Sequence, residues 1–121
     1  MISVNDIYWA AGFLEGEGSF YSDSVKGILA ASQVQREPLD HLQELFGGTI
    51  TLIIRKRGGK SKDIFLWKLR GWYGIGVMLT LYCLLSLKRK TQIKRVLGKW
   101  KGALRFNKKP EPFTPQFAFE F

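Results

Sequence analysis

The sequence contains little cysteine and little histidine. Its 121 residues include one cysteine, Cys83, and one histidine, His41. A single cysteine excludes an intrachain disulfide and is typical of proteins kept in a reducing interior. One histidine excludes a zinc site built on several histidines and disfavours a histidine-based nucleophile relay. Because Cys83 stands in an apolar run, we expect it to fill part of the core.

Long hydrophobic runs are also lacking. No stretch reaches the roughly 20 uncharged apolar residues that a membrane span requires. The N-terminus has no basic lead-in followed by an apolar run, as a secretory signal would have. We therefore expect an intracellular protein with no membrane partner, located in the cytoplasm or nucleoid or made inside an organelle.

Basic residues outnumber acidic ones. The sequence has 19 Lys and Arg against 10 Asp and Glu, for a formal net charge of +9. Such a chain favours polyanionic partners: nucleic acid, an acidic membrane surface or an acidic protein. The length and the hydrophobic content of 45% indicate one globular domain. Charge alone does not choose among these partners.

The spacing of apolar residues predicts alternating helices and strands. In chain order we expect a helix over 3–16, strands over 19–22 and 27–35, a helix from residue 37, strands over 49–57 and 63–70, and helices over 72–85 and 88–106. This order, αββαββαα, predicts an α+β fold: a four-stranded antiparallel sheet with helices on one face. We expect residues 1–106 to form the domain and residues 107–121, rich in proline and phenylalanine, to form an extended tail.

Turn and capping residues support these boundaries. Ser3 and Asp6 form a candidate capping box for the first helix, with Asn5 as a rival N-cap. Gly47-Gly48 predicts the end of the second helix. Gly58-Gly59 predicts a hairpin turn between two strands.

The segment from Trp9 to Phe20 carries the most chemical information. Gly12 and Gly16 lie four residues apart on one helix face, where small residues let a second helix approach closely. Glu17 follows at the helix end, where an acid is electrostatically unfavourable. Two copies would bring two carboxylates together, a pair that needs a cation such as Mg²⁺ or Ca²⁺. The alternatives are that the glycines ease packing within one chain, that Glu17 is a solvated acid, and that Glu15 is structural.

This segment resembles the LAGLIDADG motif of homing endonucleases, which are encoded by mobile elements in introns. Ala10 replaces the first leucine, and the two acids are Glu15 and Glu17. The resemblance covers about residues 5–100. It extends to the segment that includes Gln33 and Arg36, to 67–71 at the end of the fourth strand, and to 87–90 at the start of the last helix.

The resemblance implies a metal-dependent DNA endonuclease. Glu17 would bind Mg²⁺, for which Mn²⁺ or Ca²⁺ can substitute, with help from the Gly16 carbonyl. Gln33, Arg36 and Lys88 match positions in the catalytic pocket, although Arg89 and Lys90 compete with Lys88 for its role. The dimer interface would comprise Trp9, Gly12, Phe13 and Gly16. Since one motif is present, the resemblance implies a homodimer acting on a near-palindromic target.

The resemblance further implies that the sheet is saddle-like and lies in the DNA major groove. The polar face of the third strand and the basic hairpin fit this role. Alternation leaves open which face of 63–70 meets DNA, since Phe65 and Trp67 share one face and Lys68 and Arg70 the other. The candidate DNA-binding residues are Thr51, Ile53, Arg55, Lys56, Arg57, Lys60, Lys62, Trp67, Lys68 and Arg70.

A second class of function uses the same scaffold without cleavage. The chain would then be a DNA- or RNA-binding protein, such as an intron maturase or a regulator. A ribosomal type of RNA-binding protein is a third hypothesis. Neither binding hypothesis requires the acid between glycines at Glu17.

Overall fold

The computed structural model describes residues 2–23, 26–57 and 60–106, and it describes the backbone alone for 55–57, 60–62 and 102–106. The elements are α1 (Val4–Glu17), β1 (Gly18–Asp23), β2 (Lys26–Gln33), α2 (Glu37–Phe46), β3 (Thr49–Arg57), β4 (Lys60–Arg70), α3 (Gly71–Leu81), a 3₁₀ turn (Tyr82–Leu84) and α4 (Leu87–Phe106). The predicted α+β order αββαββαα is confirmed. The predicted turn at Gly58-Gly59 and the tail at 107–121 lie outside the described residues.

The four strands form one antiparallel sheet in the order β1-β2-β4-β3, so β1 and β3 are its edges. Residues that pair directly across antiparallel strands share a face. One face packs under the helices, and its core residues include Phe20, Leu29, Ala31, Trp67 and Leu69. The other face is called the open face here. Its members include Ser19, Tyr21, Lys26, Ser32, Thr51, Ile53, Lys68 and Arg70.

Helix α1 begins with the predicted capping box. Ser3 is the N-cap: its backbone N–H donates to the Asp6 carboxylate at 2.9 Å, and the Asp6 N–H donates to the Ser3 hydroxyl at 3.1 Å. The rival N-cap Asn5 is therefore wrong. The Ser3 backbone N–H, followed by the Ser3 hydroxyl, lowers the pKa of Asp6.

Helix α3 packs very close to β2 and to the end of β4. A Cβ atom at Gly27 would lie 2.7 Å from Ile75 Cγ1, and one at Gly74 would lie 2.7 Å from the Leu69 carbonyl oxygen. Only glycine permits this approach at either position. The helix predicted over 72–85 ends earlier, at Leu81, and Cys83 in the following 3₁₀ turn is exposed instead of filling the core.

The end of α2 is anchored to the sheet. Gly47 and Gly48 adopt φ angles of 81° and 97°, which confirms them as the helix stop. The Trp67 indole N–H donates to the Gly47 carbonyl at 2.9 Å, and its side chain is fully buried. Trp67 therefore fixes α2 against β4.

The outer half of β3 is not covered by the helices. Ile50 packs against the core, whereas Leu52 and Ile54 on the same face are 49% and 61% exposed. Among the described helices, none is long and apolar enough to cross a membrane.

Candidate active site

Glu17 is the last residue of α1 and is exposed. The next residue, Gly18, begins β1, and its N–H donates to the Leu14 carbonyl. A Cβ at Gly18 would lie 2.6 Å from that oxygen, so the direct passage from helix to strand requires glycine. Within the described part of the chain, the Glu17 side chain makes no hydrogen bond or ion pair. Its carboxylate is therefore presented to solvent at the junction of α1 and β1.

Glu15, two residues earlier, has a different role. Its carboxylate accepts hydrogen bonds from the Ser86 backbone N–H at 2.6 Å and the Ser86 hydroxyl at 2.8 Å. The backbone hydrogen bond is the main cause that lowers the pKa of Glu15, with further contributions from the Ser86 hydroxyl, Arg89 and Lys88. An ionised carboxylate at the start of α4 also interacts favourably with the positive end of the dipole of that helix. Glu15 is thus the structural acid.

Arg89 holds the chain on both sides of Glu17. Its Nε donates to the Glu15 backbone carbonyl at 3.0 Å and lies 3.8 Å from the Glu15 carboxylate. Its guanidinium lies 5.6 Å from the centre of the Phe20 ring. Because residues 15 and 20 bracket the junction, Arg89 fixes the backbone that carries Glu17.

These contacts distinguish the three basic residues at the start of α4. Arg89 is engaged as described, and the Lys90 ammonium lies 5.5 Å from the centre of the Tyr82 ring. Lys88 is exposed and lies near enough to Glu15 to lower its pKa. Lys88 is therefore the one of the three that remains free to reach a ligand.

Gln33 and Arg36 lie at the same end of the sheet as Glu17. In the β1–β2 register Gly18 pairs with Ala31, and Gln33 lies two residues beyond Ala31 and pairs with Phe65. The Arg36 guanidinium lies 5.7 Å from the centre of the Phe65 ring and forms an exposed ion pair with Asp40 at 2.9 Å. The register thus places Glu17, Gln33 and Arg36 at one end of the sheet, and Lys88 lies near Glu15 at the start of α4.

The outer face of α1 presents two bare glycines. Gly12 and Gly16 are exposed, and a Cβ built at either meets no described atom within 4 Å. Trp9 stacks on Phe13 at 5.4 Å and meets the edge of His41 at 4.3 Å. The packing of the described residues therefore gives no reason for glycine at position 12 or 16.

The accessible side of β4 is the one that carries Lys68 and Arg70, on the open face. Thr51, Ile53 and Arg70 are exposed there, and Lys68 is half-buried. Trp67 was predicted to bind DNA, but that prediction is wrong, because its side chain is fully buried under α2. The side chains of five other candidates lie outside the described residues: Arg55, Lys56, Arg57, Lys60 and Lys62.

Sequence reasoning missed part of the open face. Tyr21, which is 39% exposed, Lys26 and Ser32 all lie on it. Because side chains alternate along β1 and β2, assigning one residue of each strand to a face would have predicted these three residues.

Ligands for a metal ion are sparse in a single chain. Among the described residues, no group of three or more His, Cys, Asp or Glu side chains is placed to hold a metal ion. At the α1–β1 junction the exposed donors are the Glu17 carboxylate and the main-chain oxygens of the last helical turn.

The fold is similar to that of a solved structure. The structure is similar to that of an archaeal intron-encoded homing endonuclease, I-Vdi141I, complexed with DNA. The TM-score is 0.54 at 14% sequence identity, over 84% of this chain and 83% of that chain. At this identity the similarity establishes the fold. No protein-family model matches the sequence, and no curated protein matches it.

Replacing Arg89 and Lys88 in turn distinguishes the structural cation, Arg89, from the exposed cation, Lys88. We expect Arg89→Met to lower the free energy of unfolding by about 2 kcal/mol, since it leaves the Glu15 carbonyl without its side-chain donor and removes the cation beside the Glu15 carboxylate. The matched change of the exposed neighbour, Lys88→Met, should alter it by less than about 0.5 kcal/mol. Chemical denaturation measures both. Equal losses would contradict the assignment of Arg89 as the residue that fixes the junction.

Proposed function

We propose that the chain is a homing endonuclease of the LAGLIDADG type, a site-specific, divalent-metal-dependent enzyme that cuts both strands of duplex DNA. The observation that supports this most is the placement of Glu17. It is an exposed carboxylate without a described partner, and it ends a helix whose outer face presents Gly12 and Gly16. The fold similarity to a homing endonuclease complexed with DNA adds support for DNA as the partner.

The proposed enzyme is a homodimer joined through α1. Because Gly12 and Gly16 have open space beside them, the α1 backbone of a second copy can approach closely. Trp9 and Phe13 flank this contact, and the exposed Tyr8 extends it. A two-fold axis along the contact would bring the Glu17 residues of the two copies together. Each chain would then supply half of the active site.

The donors at this junction fit a hard divalent cation. Gly18 and Arg89 already use the carbonyls of Leu14 and Glu15, so the Gly16 carbonyl is the next oxygen toward Glu17. Carboxylate and carbonyl oxygens suit Mg²⁺, and Mn²⁺ or Ca²⁺ can occupy such sites. A bound metal would supply an activated water and offset charge on the leaving oxygen.

Three further residues act on the phosphate and the attacking water. The Gln33 amide can both donate and accept hydrogen bonds, which suits it to orient a water molecule. Arg36 and Lys88 would offset the charge that develops on the phosphate. Lys88 is preferred over its two neighbours because Arg89 and Lys90 are already engaged within the chain.

The open face would read the DNA major groove. Thr51, Lys68 and Arg70 can donate hydrogen bonds to base edges or phosphates, and Ile53 can contact a thymine methyl group. The basic hairpin that contains Arg55, Lys56, Arg57, Lys60 and Lys62 would extend this contact. Two such faces related by a two-fold axis require a near-palindromic target.

The proposal is tested by selection from a library of randomised DNA duplexes. The full chain is incubated with the library and Mg²⁺, with EDTA as the control, and the cut ends are sequenced. We expect staggered double-strand cuts within one near-palindromic site when Mg²⁺ is present, and no cuts in EDTA. Tight binding of DNA or RNA without cutting in Mg²⁺ or Mn²⁺ would contradict the proposal and support a maturase or regulator.

A further inference from the structure

A groove runs between the edge strand β1 and helix α4. It has a volume of about 540 Å³, and Phe20 and Val96 form part of its wall. Its polar lining comes from Tyr21 and Ser22 on β1 and from Gln92, Arg95 and Lys99 on α4. We call this feature the β1–α4 groove. The groove therefore combines two cations with hydroxyl and amide hydrogen-bonding groups.

The charge of α4 is of one sign. Its 20 residues include eight Lys and Arg and no Asp or Glu. Arg95 and Lys99 are exposed, and neither forms an ion pair within the described residues. Since uncompensated cations around a concave surface raise the local concentration of anions, the charge of the groove complements phosphate.

The polar residues that α4 contributes to the groove continue a track that starts at Lys88, beside the candidate active site. Lys88, Gln92, Arg95 and Lys99 follow one another at intervals of four, three and four residues, which places them on one face of α4. The helix begins where Ser86 binds Glu15, and this face passes Phe20 and Tyr21 to reach Ser22. At 1.5 Å per residue the track is roughly 16 Å long.

The groove is also continuous with the open face. Tyr21 lines the groove, yet it lies on the open face and is 39% exposed. A strand whose phosphate lies at Glu17 could therefore continue along β1 without leaving the protein surface. The phosphates of one strand are spaced about 3.4 Å apart along the duplex axis, so the track can follow several of them.

We infer that the β1–α4 groove binds the phosphodiester backbone of the DNA strand that leaves the cleavage site. Arg95 and Lys99 neutralise consecutive phosphates, and Gln92, Ser22 and Tyr21 donate hydrogen bonds to them. This inference rests on the proposed function and adds a second DNA contact, beside the sheet. The groove would strengthen binding without reading sequence.

The test compares two double variants that remove the same charge from opposite sides of α4. Arg95→Ala/Lys99→Ala removes it from the groove, and Lys94→Ala/Lys101→Ala removes it from the other side of the helix. Fluorescence anisotropy with a random-sequence duplex of about 40 base pairs in EDTA measures affinity across a range of salt concentrations. Counted per bound chain, the groove variant should bind roughly ten- to a hundredfold more weakly near 0.1 M salt and lose nearly 2 from its salt slope, so the slope of a bound dimer should fall by nearly 4. Arg95→Lys/Lys99→Arg should retain the wild-type slope.

Other outcomes separate the inference from the proposed function. Equal losses in the two double variants would overturn the inference, because net charge alone would explain them. A loss confined to an RNA duplex of equal length would overturn it in favour of an RNA site. A wild-type chain that cuts the library in Mg²⁺ while the groove variant binds normally would overturn the inference alone. A wild-type chain that neither binds nor cuts DNA would overturn the proposed function as well.

Discussion

Glu17→Gln is expected to abolish DNA cleavage while leaving DNA binding intact. The amide cannot supply the negative charge that a divalent cation needs, so cleavage in Mg²⁺ should fall at least about 10³-fold. The side chain is exposed and has no described partner, so the free energy of unfolding should change by less than about 0.5 kcal/mol. Cleavage of the selected site and anisotropy on the same duplex measure the two effects.

Glu44→Gln is the matched control. Glu44 is also an exposed acid near one end of a helix, and its only described ion pair is a 3.9 Å contact with His41. This variant should cut DNA as the wild type does. If Glu17→Gln lost binding together with cleavage, Glu17 would be a structural residue and the metal site would have to lie elsewhere.

Gly12→Leu is expected to stabilise the folded monomer and to weaken the dimer. In the isolated chain, leucine at an exposed helical position should raise stability by about 0.5–1 kcal/mol, since glycine is a poor helix former. In the dimer, the added side chain would stand between the two helices. An overpacked contact costs about 1–3 kcal/mol, and a two-fold axis repeats it, so the dimer dissociation constant should rise roughly a hundredfold or more.

Sedimentation without DNA measures the dimer, and thermal unfolding of the monomer at low concentration measures its stability. Gly98→Leu is the matched control, because Gly98 is another exposed helical glycine with no described atom near its Cβ position. It should stabilise the monomer without changing its association. A Gly12→Leu chain that remains a dimer would exclude α1 as the interface.

Local patterns were sufficient to predict most of the fold. The period of apolar residues predicted most of the helices and strands, because most elements have one face in the core. The capping box at Ser3 and the glycines at 47 and 48 are local signals as well, and the structure confirms them. The run at 72–85 is apolar throughout, so no periodicity marked the change from α-helix to 3₁₀ turn at Tyr82.

Contacts between distant residues account for what the sequence did not reveal. Trp67 and Lys68 lie on opposite faces of β4, and the packing of the core and of α2 on one face decides which of them is buried. Leu52 and Ile54 have the spacing of core residues, but whether helices cover them depends on the whole domain. The pattern of glycines and acids predicts Glu17 as the functional acid, and this stays a prediction. The assignment of Glu15 required its contact with Ser86, 71 residues away.

We propose that each active site is shared between two chains, each of which supplies one Glu17. Mixing wild-type and Glu17→Gln chains in different proportions, with exchange of subunits, tests it most directly. If both copies are needed in each site, double-strand cleavage follows the square of the wild-type fraction, so an equal mixture retains about a quarter of the activity, and the mixed dimers nick neither strand. Nicking of one strand by the mixed dimers, or a linear decrease with about half of the activity in the equal mixture, would mean that one chain cuts alone and would contradict the claim.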